Sequence, residues 1–206
     1  VSTAIWSADP IWAGEAAVVI ASGPSLTQAD VDLCRGRRMI AVNDNWRRAP
    51  WADCLFAADR GWWERKGPAA GEFAGMRVTI DAIDDGDAHQ MLPDPYAGLC
   101  TDRRKLAAGS NSGGYAVNLA FHFGANPIVL LGFDMKAAAD GRTHWFGSHP
   151  EGLCNPDERN FDHWRTRLRA MGQRLKERGV DVINATRDTA LTGFRQMDLE
   201  DALRLG

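Results

Sequence analysis

Two histidines five residues apart, His144 and His149, stand in GRTHWFGSHP, shortly after the apolar run PIVLLGFDM that carries Asp134. Imidazole is the side chain that exchanges protons near neutral pH, and a carboxylate at a strand end can hold a ribose hydroxyl or a divalent cation. A spacing of five specifies no metal site. The segment therefore offers a general base, or histidines that only pack and hydrogen-bond. His122, inside FHFG, falls in a helical pattern and reads as structural. A second cluster is ASGPSL, with Ser22, Gly23, Pro24 and Ser25 directly after an apolar run. Gly23 permits close backbone approach, and a helix starting at Ser25 would present unpaired N–H groups suited to a phosphate. A tight turn explains the same residues without a ligand, and the segment is neither a GxGxxG fingerprint nor a Walker loop. Asn43 and Asn45 follow another apolar run, where amides read a base, hold sugar hydroxyls, or close a turn. Ser112 and Gly113 open a further helix, leaving room for a ligand at its positive end or merely capping it. There is no HExxH pair and no C2H2 module, and the scattered Ser, His and Asp residues define no triad.

These residues need elements to bring them together. AAVVIA, Ala16 to Ala21, is a continuous apolar run of the kind a strand shows when covered on both faces. Gly23 and Pro24 then favour a turn, Ser25 or Thr27 can cap a helix, and Val31 with Cys34 begins its apolar stripe. Further strands are expected at Arg38–Asn43, Asp53–Asp59, Met76–Asp81, Ile128–Leu131 and Val180–Ala185. Tyr115, Leu119 and Phe123 share one helical face that Gly124 can stop. Phe161, Trp164, Leu168, Met171 and Leu175 form the stripe of a longer helix ending near Gly179, and LEDALR is a short C-terminal helix. From Ala82 to Lys105 the chain is rich in Asp, Gly and Pro. We expect a variable loop or lid with short helices there, spanning about residues 82–110. The alternation predicts an α/β fold: a single domain over residues 1–206, with a mainly parallel sheet flanked by helices. In such a sheet, ligands sit beyond the carboxyl ends of the strands, where the loops Ser22–Ser25, Asn43–Asn45, Asp59–Trp62 and Phe133–His149 are expected to converge.

Composition narrows the function classes. The 206 residues are 45% hydrophobic and 25% charged, with a net charge of −3, which excludes a generally cationic nucleic-acid coat. Trp46 with Arg47 and Arg48, or Trp62 and Trp63 near Arg65 and Lys66, are small clusters and weak grounds for a nucleic-acid partner. The eight tryptophans read mostly as core, with some available to cover a cleft. Cys34, Cys54, Cys100 and Cys154 contain no CxxC pair, and a reducing cytoplasm is expected. No apolar stretch reaches the ~20 residues of a membrane span, and VSTAIWSADPIW lacks a signal-peptide pattern.

Taken in order, VVIASGPSL, AVNDN, NSGGYAVNLAFHFGANPIVLLGFDM, THWFGSHP and VINATRDTALTGF cover most of Ala16 to Phe194. This set resembles the bacterial sialyltransferase-like superfamily, which includes the CMP-sialic-acid-dependent lipooligosaccharide sialyltransferases and the DUF115/MptE-like proteins, also found in phage and prophage genomes. The resemblance implies a Rossmann-like nucleotide-binding domain with the first strand-to-helix turn near the nucleotide phosphates. That turn commonly reads GNGPSL in the sialyltransferases, so Ser22 stands where they have Asn. Asn43 matches the Asn after the second strand, Ser112 and Gly113 the SG at the later helix, and Asp134 the acidic residue ending the next strand. The HYIGH segment looks like HWFGSH here: with Ser148 as an insertion, His149 corresponds to the general-base His, His144 to the first His, and Trp145 replaces the Tyr. The implied function is a glycosyltransferase that takes a nucleotide-sugar donor, a CMP-sugar, to a hydroxyl acceptor without a tightly bound cofactor, with a homo-oligomer as one source of acceptor surface. The MptE-like branch implies instead an ATP-dependent pyrophosphokinase using Mg2+, with Asp134 near the metal. A third implication is a non-catalytic nucleotide-binding phage accessory protein.

Overall fold

A strand without a polar face must be covered on both sides, and Ala17–Ile20 (β1) is buried at all four positions. In the computed structural model, which describes residues 4–83, 87–96, 98–107, 111–149, 153 and 155–205, β1 lies inside an eight-stranded, all-parallel sheet. The chain continues through α1 (Gln28–Leu33), β2 (Arg38–Val42), a 3-10 turn (Asn43–Arg47), β3 (Cys54–Phe56), α2 (Arg60–Ala70) and β4 (Met76–Thr79). Three short strands follow, β5 (His89–Gln90), β6 (Leu92–Asp94) and β7 (Lys105–Ala107), before α3 (Ser112–His122) and β8 (Ile128–Leu131). The last elements are α4 (Glu158–Glu177), β9 (Val182–Asn184), β10 (Arg195–Gln196) and α5 (Leu199–Leu203). The sheet order is β10-β9-β8-β1-β2-β3-β4-β5, and β6 pairs with β7 apart from it.

Alternation along β1 sorts the core into two layers. Ala17, Val19 and Ala21 pack with Ala116, Leu119 and Ala120 of α3 and Leu168, Met171 and Leu175 of α4. Val18 and Ile20 face the other way, towards Val31 of α1, Trp62 and Trp63 of α2, and Leu199, Ala202 and Leu203 of α5. Helices thus cover both faces, which keeps a parallel sheet's apolar strands out of water. The helix ends follow local chemistry. Thr27 accepts from the Asp30 N–H while Asp30 accepts from the Thr27 N–H, and Asp157 with Asn160 forms the same reciprocal box at α4. Gly179, at φ 75°, turns the chain out of α4 in the left-handed region where glycine carries no Cβ penalty.

Three features differ from the sequence expectations. The stretch from Ala82 to Lys105 contains strands and, among the described residues, no helix; residues 84–86, 97 and 108–110 of the expected lid lie outside the described residues. These strands are too short to show a period, and Pro93 argues against a strand from sequence, yet an isolated two-stranded pair tolerates it. Helix α2 begins at Arg60, where a ligand-facing loop through Trp62 was expected. Gly67 and Pro68 punctuate its sequence, and its amphipathic signal is weak, so burial of Trp62 and Trp63 against the sheet decides it. Lastly, of the two expected caps Thr27 is the one used, and α1 starts at Gln28, so Ser25 belongs to the turn and no helix begins there.

Candidate active site at the sheet switch point

From β1 the chain builds the sheet in one direction through β2, β3 and β4, then returns to place β8 on the other side of β1. Two neighbouring strands whose connections leave in opposite directions open a crevice beyond their carboxyl ends. Here β1 feeds Ser22–Ser25 into that crevice, β8 feeds Gly132–Met135, β2 adds Asn43 and α3 adds its first residues. Ser22, Gly23, Asn43, Ser112, Gly113, Asp134 and His144 all line one cavity of about 100 Å³, together with Pro156, Phe161 and Trp164. Pro24, Ser25, Asn45 and His149 do not line it.

The first turn is already satisfied. Gly23 N–H donates to the Gly132 carbonyl at 2.8 Å, and Ser25 N–H to Asp134 Oδ2 at 2.8 Å. The unpaired donors expected at Ser25 are therefore absent: a carboxylate from the neighbouring strand occupies the position an anion would take. Glycine is what lets β8 come so close. A Cβ on Gly23 would lie 2.5 Å from the Gly132 oxygen and closer still to Asp134 Oδ1. Asp134 is 2% exposed, and its Oδ1 is buried without a hydrogen-bond partner. Burial pushes its carboxyl up to about 6, against the pull of the Ser25 hydrogen bond, and Asp188 adds to the rise.

Free donors occur instead at α3. Asn111 caps the helix by accepting from Gly114 N–H at 2.9 Å, which leaves the Ser112 and Gly113 N–H groups without intrahelical partners at the positive end of an 11-residue helix. Ser112 Oγ accepts from Ala58 N–H at 3.3 Å, tying α3 to the end of β3. Lining the same cavity, Asn43 sits at φ 52° with its Oδ1 buried and unpartnered, and Met135 also sits at φ 52°. Left-handed backbone at a residue other than glycine costs about 1–3 kcal/mol and persists where surroundings enforce it. At Met135 the enforcement is visible. Arg165 Nη1 donates to the Met135 carbonyl at 2.9 Å, Ala190 N–H to the Asp134 carbonyl at 2.8 Å, and Thr186 Oγ1 accepts from Phe133 N–H at 2.9 Å. Thr189 Oγ1 donates to the Phe133 carbonyl at 2.7 Å. Thr186, Thr189 and Arg165 thus aim the Asp134 segment, a role that no local feature of VINATRDT announces.

Asn45 is 0% exposed and spends its side chain inside the wall. Its amide N–H groups reach the Ile20 and Val42 carbonyls and Ser22 Oγ, and its Oδ1 accepts from Trp145 Nε1 at 2.9 Å. Of the two histidines, His144 is in the cavity wall. Its ring stacks on Phe146 at 4.9 Å and meets the His149 ring edge-on at 4.5 Å, so His149 stands in contact with it outside the lining. Burial, helped by His149, pushes the His144 imidazole down to about 4, with the Gly147 backbone and Asp44 opposing. His149 is also lowered, again chiefly by burial, with Lys66 adding and Asp44 and Asp59 opposing. Both rings are neutral at pH 7 and able to accept a proton. Among the described residues, no three His, Cys, Asp or Glu side chains are grouped to hold a metal ion, and no helix is long and apolar enough to cross a membrane.

No protein-family model and no curated protein matches the chain. Among solved structures it is similar to the MAf glycosyltransferase from Magnetospirillum magneticum AMB-1, with a TM-score of 0.68 over 95% of this chain and 12% identity. The chain spans 35% of that protein's length. At this identity the likeness is one of fold: a mainly parallel α/β sheet flanked by helices, shared with part of a glycosyltransferase.

Proposed function

We propose that the chain is the donor-binding domain of a glycosyltransferase that takes a nucleotide-activated sugar, with a CMP-sugar as donor, to a hydroxyl acceptor. The observation that carries the reading is the convergence, at one switch-point cavity, of the unpaired α3 N–H groups, the unpartnered Asn43 Oδ1 and a neutral imidazole. The fold shared with a glycosyltransferase and the sialyltransferase-like motif order support the same class. A cavity of about 100 Å³ suits one phosphate- or sugar-sized group, so the remainder of the donor would lie along the open strand ends. In this reading Ser112 and Gly113 N–H hold the phosphate and Asn43 accepts from a donor hydroxyl or amine. The acceptor oxygen attacks the anomeric carbon as the bond from that carbon to the phosphate oxygen breaks. The nucleotide leaves with the electron pair, and the acceptor proton passes to imidazole: His149 if the acceptor approaches from outside the cavity, His144 if from within. The backbone donors stabilise the departing phosphate without a metal.

Isothermal titration with CMP, CDP, ADP and ATP tests the donor class, followed by acceptor-dependent CMP release from a CMP-sugar. Selective cytidine binding with CMP release is the expected result. ATP-selective binding with AMP release, dependent on Mg2+, would replace the reading with pyrophosphokinase chemistry at Asp134. Silence with all four nucleotides would leave neither transferase standing.

A further inference from the structure

The cavity wall between Ala137 and His149 has very few anchors. Among the described residues of that stretch, the hydrogen bonds that reach another part of the chain both come from Trp145. Its N–H donates to the Ser22 carbonyl at 3.0 Å and its indole Nε1–H to Asn45 Oδ1 at 2.9 Å. The other bonds are local: Ala138 with Gly141 and Arg142, Asp140 with Arg142, Thr143 Oγ1 with the His144 ring at Nδ1, Gly147 with His144, and His149 with Asn155. The indole face is also covered, since the Arg48 guanidinium lies 3.7 Å from its ring centre and is itself held by the Leu26 carbonyl at 2.8 Å. Of the groups Trp145 grips, Ser22 after β1 lines the cavity, while Asn45 in the turn after β2 and Arg48 just beyond it lie behind that lining. Asn45 is suited to the task because its amide N–H groups are committed to Ile20, Val42 and Ser22, which fixes the direction of its Oδ1.

We propose that Trp145 is the positioning residue of this site: by pinning its segment to Ser22, Asn45 and Arg48 it holds the adjoining His144, and through ring contact His149, at the cavity. The inference deepens the proposed transferase reading and rests on it for its catalytic meaning, while the positioning itself stands on hydrogen bonds and stacking. Three properties of tryptophan are used at once. The main chain sets height above β1, the indole N–H sets direction, and the ring surface takes the cation. Phenylalanine would keep the last and lose the second, leaving the fully buried Asn45 Oδ1 without a partner. Tyrosine, which the resembling motif carries here, has its donor at a different place and would not reach Asn45 Oδ1 with the same geometry.

The test reads the histidines directly and needs no substrate: nitrogen-detected NMR titration of His144 and His149 in wild type, Trp145→Ala, Trp145→Phe and Arg48→Met. Burial pushes the wild-type His144 imidazole down to about 4. Releasing the segment hydrates the ring, so Trp145→Ala should raise its midpoint by at least about one unit towards 6.5, with Trp145→Phe and Arg48→Met moving it the same way by less. A purely structural role would lower the melting temperature and leave that midpoint in place. Where turnover is measurable, Trp145→Ala should lose at least about tenfold in kcat with donor KM within about threefold. If Trp145→Ala does not fold, the two milder variants decide. Folded variants whose His144 titrates as in wild type overturn the proposal; nucleotide silence alongside shifted titrations overturns the transferase reading and leaves the positioning intact.

Discussion

Replacing Asp134 with Asn probes the contact on which the site is built. The carboxyl is 2% exposed, receives the Ser25 N–H through Oδ2, and has its other oxygen unpartnered. Its folded value of about 6 stands above its ordinary 3.8, so between those values the folded protein holds a proton that the unfolded chain has released. Stability attributable to this group is therefore fully present below 3.8 and lost as pH rises through 6. At about 1.36 kcal/mol per unit, the shift of roughly two units is worth about 3 kcal/mol, of which about 2 kcal/mol falls between pH 4.5 and 7.5. Asparagine keeps an oxygen for Ser25 and cannot ionise. Whatever its fixed offset from wild type, the variant's unfolding free energy should gain on wild type by about 2 kcal/mol across that range, because His144 is present in both proteins and cancels to first order. Urea denaturation at half-unit pH intervals measures the difference. Parallel stability curves, within about 0.5 kcal/mol over the range, would refute the buried-carboxylate account.

The remaining expectations use the same logic. His144→Gln should gain stability relative to wild type as pH falls from 6.5 to 4, since folding holds this imidazole neutral; a pH-independent difference would count against its burial. Gly23→Ala should destabilise by at least about 2 kcal/mol, and adding Asp134→Ala should restore only part, because the Gly132 oxygen stays 2.5 Å from the new Cβ; a neutral single variant in urea melts would contradict the close approach. Asn118→Leu should cost about 3 kcal/mol, since Asn118 is 0% exposed and its Oδ1 serves the N–H groups of Cys100 and Ala107 while its amide reaches the Cys100 carbonyl; thermal or urea unfolding checks it. In a Cys154→Ser background, thiol labelling at pH 8 should be slow until the protein unfolds. Burial raises Cys34 to about 12, Cys100 to about 11 and Cys54 in the same direction; rapid labelling of the native protein would speak against that packing.

Apolar runs were enough to read β1, β2, β3, β4, β8 and β9 from the sequence, because a strand covered on both faces needs no partner information to announce itself. The α4 stripe from Phe161 to Leu175 was legible for a similar reason: its period repeats over several turns. Turn and cap residues mark the strand and helix ends, so Ser22, Gly23, Asn43, Ser112 and Asp134, which line one cavity, are legible in the sequence as candidates. Elements that owe their existence to contact rather than pattern stayed hidden. Helix α2 is one, held by buried Trp62 and Trp63, and the two- and three-residue strands β5, β6, β7 and β10 are others. Nor does strand order in the chain reveal that β8 lies beside β1. That adjacency brings Asp134 across 109 residues to the Ser25 N–H, converting an expected anion cradle into a closed turn and leaving the α3 N-terminus as the open one. Local chemistry sets which groups are offered at each strand end; a hydrogen bond between distant segments decides which of them remain free, and only the folded chain holds that information.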